Sequence, residues 1–76
     1  MNPYELVIKD VFGNVMETVG LGDGIDPYVY AVERFEQDDL IDRIAAYRLT
    51  NNAEPYRDQY TVFDVFFRSE YESGEL

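Results

Sequence analysis

The chain has 76 residues, 46% of them hydrophobic, with seven Tyr and five Phe, sixteen acids against six bases (net charge −10), and neither Cys nor His. A chain of this length makes one domain near the lower size limit for a single core, and it is too apolar for intrinsic disorder. The composition excludes disulfides, thiolate chemistry, Ser-His-Asp and Cys-His sites and the usual zinc ligand sets, and it disfavours direct nucleic-acid binding, which needs clustered Lys and Arg.

Tyr4 to Asp10 alternates as a strand, with Tyr4, Leu6 and Ile8 facing one way and Glu5, Val7 and Lys9 the other. A two-residue loop at Gly13-Asn14 sets Asp10 opposite Glu17, which is repulsive. A type I turn over Asp10-Val11-Phe12-Gly13 puts Asp first and Gly where a positive φ is wanted, and it pairs Ile8 with Met16. The turn reading is preferred, and the second strand then runs over about 14–19.

Gly20-Leu21-Gly22-Asp23-Gly24 is a loop. It lacks the Lys-Ser/Thr of a phosphate-binding loop, and Asp23 repels phosphate. Asp23 and Asp26 alone do not make a calcium loop. Asp26-Pro27 is a good helix start, with Tyr28, Ala31, Val32 and Phe35 on one helical face. Against it, Tyr-Val-Tyr-Ala-Val is dense in β-branched and aromatic residues, which favours a third strand.

The expected helix runs from about Asp38 to Thr50. Its core stripe is Leu40, Ile41, Ile44 and Tyr47, and Asp38 and Asp42 lie opposite, about 6 Å apart along the axis. Asp38 and Asp39 suit its N-terminal end, and Asn51-Asn52 suits its close. Residues 53–59, with Pro55, read as a loop. Tyr60 to Arg68 is a strand, apolar on both sides and therefore placed centrally in the sheet. Residues 69–76 read as a frayed acidic tail.

The expected fold is α+β: a small antiparallel sheet of three to four strands with one helix packed on one face, in the order β-β-β-α-β. Residues 1–76 form a single domain. No apolar run approaches the ~20 residues of a membrane span and no leader opens the chain, so a cytoplasmic setting in a bacterial host cell is expected.

Without His or Cys, catalysis is left to carboxylates, Tyr, Ser, Thr, Lys9 and Arg, and a chain this short hardly encloses a substrate. No catalytic, cofactor-binding or metal-ligating set is expected, and the chain reads as a non-enzyme. The acids are unevenly distributed. Residues 23–42 hold Asp23, Asp26, Glu33, Glu36, Asp38, Asp39 and Asp42 against Arg34 alone. A row of carboxylates at phosphate-like pitch fits a channel whose Arg and Lys expect phosphates. The simpler account is helix-end stabilisation and solvated faces. Tyr56 and Tyr71 sit in polar surroundings, where exposed Tyr often anchors protein interfaces. These seven acids and two tyrosines are the candidate partner-binding residues.

In size, acidity, lack of Cys and His, and Tyr content, the chain resembles the small phage-encoded inhibitors of host defence. Anti-CRISPR proteins, anti-restriction proteins and the uracil-DNA glycosylase inhibitor are examples. No motif matches a particular member, so no functional residue carries over. The resemblance implies a DNA mimic whose partner is a basic nucleic-acid-binding protein, a CRISPR effector complex or a restriction enzyme. The alternative is an adaptor or regulatory subunit that binds through exposed Tyr and Phe, with acids steering the encounter. Oligomeric state stays open, a dimer included.

Overall fold

The computed structural model describes residues 2–51 and 58–76. Strand β1 (Tyr4–Lys9) and strand β2 (Val15–Leu21) form the first hairpin. Helix α1 (Pro27–Gln37) crosses to strand β3 (Arg43–Asn51), which precedes strand β4 (Asp58–Phe67) and a short helix α2 (Arg68–Ser73). The strands make one antiparallel sheet in the order β2-β1-β3-β4, with the helices together on one face. This is the expected α+β class. The element order is corrected to β-β-α-β-β-α.

The first turn forms as the Asp and Gly positions require. The Gly13 N–H donates to the Asp10 carbonyl at 3.0 Å, Gly13 takes φ +82°, and an Asp10 carboxylate oxygen accepts from the Phe12 and Asn14 N–H groups. Lys9 faces Val15 as this turn dictates, but a register shift then sets Ile8 opposite Glu17 instead of Met16. Met16 is the extra residue on β2, which turns Glu17 toward the helix layer.

Residues 27–37 are helix, not the expected third strand. Asp26 caps it, its carboxylate accepting from the Tyr28 N–H at 2.8 Å, and Pro27 holds the first helical position. Ala31 and Phe35 enter the core one turn apart. Packing at that spacing overrides the β preference of Tyr28-Val29-Tyr30. The expected helix over 38–50 is in turn a strand. Ile44 and Ala46 face α1 and are fully buried, while Ala45 and Tyr47 face the other way. A strand between two others is apolar on both sides, and its run also fits a helical stripe. Leu40, expected in that stripe, is 70% exposed.

Strand β4 lies at the edge of the sheet, not at its centre. A second register shift, between Ala46 and Tyr47, leaves Phe63 as the extra residue. Phe63 meets Tyr4 on the helix side at a centroid distance of 5.7 Å. Val65 and Phe67 face away. Phe66 is buried and meets Tyr28 edge-on at 6.0 Å.

The segment expected to fray instead folds against the core. Arg68 donates to the carbonyls of Phe35 (3.1 Å), Asp38 (2.6 Å) and Ile41 (2.6 Å), satisfying groups at and just beyond the end of α1. Tyr71 then stacks on Phe35 at 5.5 Å, and Gly74 closes α2 at φ +81°. The core unites Leu6, Ile8 and Leu21 from the hairpin, Ala31 and Phe35 from α1, and Ile41, Ile44, Ala46 and Phe66. Among the described residues, no helix is long and apolar enough to cross a membrane.

Candidate acidic interface

Helix α1 sets the geometry of the acidic surface. With Ala31 and Phe35 turned inward, Val29, Glu33 and Glu36 fall outward at three- and four-residue spacing. Asp26 continues that line past the N-terminal end, with Asp23 in the preceding turn, and Asp39 is exposed in the turn after the other end. From Asp26 to Glu36 the line is about 15 Å long at ~1.5 Å per residue. Asp26, Val29, Tyr30 and Glu33 border an open concavity of about 340 Å³ on this side.

Asp23, Asp26, Glu33, Glu36 and Asp39 are exposed, and none has an ion-pair partner among the described residues. Asp38 and Asp42 are separated from this set. Asp38 is half-buried, caps the end of α1 and accepts from the Leu40 N–H at 3.0 Å. Asp42 is half-buried and bound by the Arg43 guanidinium at 2.9 Å. The expected pairing of Asp38 with Asp42 along one helix does not occur, because residues 43–51 are strand. Tyr71 is half-buried against Phe35 with the Arg68 guanidinium 6.0 Å from its ring centroid, so it is no free surface ring. Tyr56 lies outside the described residues.

The arginines near this layer are engaged within the chain. Arg34 donates to Glu17 on β2 at 2.7 Å and to the Tyr30 hydroxyl at 3.2 Å. Its hydrogen bond holds the Glu17 carboxyl below the usual glutamate range, and the same bond raises the Arg34 pKa further. The side chains of Arg34 and Arg68 are only 19% and 16% exposed. Arg34 and Arg68 are thus folded inward, while Asp23, Asp26, Glu33, Glu36 and Asp39 point out. Glu70, Glu72 and Glu75 follow on and after α2, with Glu72 3.7 Å from Arg68.

Sequence reasoning missed a second feature. Phe12 at the hairpin tip is 85% exposed, and Val11 and Leu40 beside it border a concavity of about 270 Å³ with Asp39 and Asp42. A hydrophobic residue between Asp10 and Gly13 was the available signal, since a tight turn leaves its side chain in solvent. Among the described residues no group of three or more acids converges as metal ligands. Comparison with protein-family models, curated proteins and solved structures finds no match to this chain.

Proposed function

We propose that this protein is a non-enzymatic acidic inhibitor, phage-encoded and active in the bacterial cytoplasm. It occupies the nucleic-acid-binding cleft of a host-defence protein, a CRISPR effector complex or a restriction enzyme. One observation carries the reading: Asp23, Asp26, Glu33, Glu36 and Asp39 stand exposed along α1 and its flanks, while Arg34 and Arg68 are drawn inward. Carboxylates in such a row offer Arg and Lys the charge-assisted hydrogen bonds that phosphates otherwise provide.

The test is DNA cleavage by a panel of purified effector complexes and restriction endonucleases, with and without the protein. Wild type is expected to inhibit at least one in competition with DNA. Glu33→Lys/Glu36→Lys is expected to lose that inhibition by tenfold or more while keeping its circular dichroism spectrum. Inhibition untouched by the double reversal defeats the reading. An adaptor that binds through apolar anchors is the second reading, favoured by the exposure of Phe12, Val11 and Leu40. In that case Phe12→Ser abolishes binding and the double reversal does not.

A further inference from the structure

The face of the sheet opposite the helices is largely apolar, and no described helix or strand covers it; the Asn2 side chain alone among the described residues folds over it, at Gly20 beside Glu5. Val7, Ala45, Tyr47, Val62, Val65 and Phe67 lie on it, with Val62 and Phe67 among the exposed large hydrophobics. Its charge differs from that of the rest of the molecule. Glu5, Lys9 and Arg43 are on this side, and Lys9 stands opposite Arg43 in the β1–β3 ladder. Like charges so placed repel. Asp42 neutralises Arg43, whereas the side chains of Lys9 and Glu5 have no ion-pair or hydrogen-bond partner among the described residues.

We infer that this face docks a second copy of the chain, sheet on sheet, about a twofold axis crossing β1 at Val7, in the interface plane and perpendicular to the strand. The distribution of charge selects that occupant and that axis. Glu5 and Lys9 flank Val7 at equal distances on the same side of β1, about 13 Å from each other. The twofold therefore lays Glu5 of each copy over Lys9 of its partner, twice. Within the ladder Glu5 neighbours Tyr47 as Lys9 neighbours Arg43. Arg43 is already held by Asp42 and lies 5.8 Å from the centroid of its own Phe67 ring, so Lys9 is the cation this end presents to the partner's Glu5. Ala45, beside Val7, leaves the middle of the face low enough for close approach.

Net charge does not oppose the arrangement. Stacked sheets sit ~10 Å apart, and each helix layer lies on the far side of its own sheet, so the two acidic surfaces are separated by several Debye lengths at physiological salt. Four strands spaced ~4.8 Å and ~20 Å long give a footprint of roughly 400 Å² per copy before side-chain relief, about 800 Å² in total, the size of a weak, transient contact. A contact of that size is weak, so the dimer is expected only at roughly micromolar concentrations and above.

Sedimentation of the whole chain across that range tests the inference. Wild type is expected to show a reversible monomer–dimer equilibrium. Glu5→Lys and Lys9→Glu each place like charges in apposition at both contacts, and each is expected to weaken the dimer about tenfold or more. Both changes are at partly exposed positions, and a thermal melt checks the fold. An equimolar mixture of the two variants restores attraction at both contacts and is expected to dimerise as well as wild type. A chain that stays monomeric throughout overturns the inference. So does a dimer that both variants leave intact, or a mixture that fails to recover.

Discussion

Three arginines, Arg34, Arg43 and Arg68, have partners within the chain, and at the residue scale this decides which carboxylates remain free. Arg34 reaches across to Glu17, whose folded-state pKa lies below its ordinary value of 4.5 because it accepts that hydrogen bond. The sign follows from linkage. A depressed carboxylate contributes stability that is fully present above its unfolded pKa and is lost as pH falls through the folded one. Wild type should therefore lose melting temperature on acidification from about 4.5 downward. Glu17→Gln should begin less stable at neutral pH and lose less over that window. Equal pH slopes in the two proteins would show that the pair contributes nothing.

Helix α1 and strand β3 show, at the scale of elements, what the sequence could and could not reveal. The turn over Asp10 to Gly13 was legible because both residues have a single backbone preference there, and β4 because its apolar run is long. The Asp26-Pro27 helix start was also visible. Local propensity in Tyr28-Val29-Tyr30 outweighed it, and only packing of Ala31 and Phe35 reverses that balance. Residues 43–51 were ambiguous for a different reason: apolar residues at 40, 41, 44 and 47 match a helical stripe, while Ile44-Ala45-Ala46-Tyr47 is apolar at every position, as in a strand between two others. Ile44 is fully buried under either reading. Ile44→Asp places an unpaired carboxylate in the core and should leave the chain unfolded at 25 °C, as the circular dichroism signal would report. A cooperative melt in that variant would contradict the core described above.

Across the whole molecule, the exposed acids of 23–39 gather on the helix layer, while the open sheet face is mainly apolar and carries Glu5 and Lys9. The acidic cluster of 23–42 was readable because it is a matter of composition. Which members stand free was not, since that depends on how the chain turns after α1; Asp42, for one, is taken up by its neighbour Arg43. The uncovered sheet face was hidden as well, because two-sided hydrophobicity in β3 and β4 reads as burial. A steep salt dependence belongs to this scale. If the carboxylate row engages a polycation site, inhibition should weaken severalfold or more between low and moderate ionic strength, measured by titrating salt at fixed protein. A flat response would instead point to the Phe12 end of the molecule.

Both outer strands carry one residue too many for a regular ladder, Met16 on β2 and Phe63 on β4. An uninterrupted rim invites further chains to join it by backbone hydrogen bonding and grow into ribbons, a hazard for sequences as aromatic as YTVFDVFF. The two irregularities break the spacing such growth requires. Neither rim is a uniform template for fibril extension, and stacking through the flat face is kept apart from polymerisation at the sides.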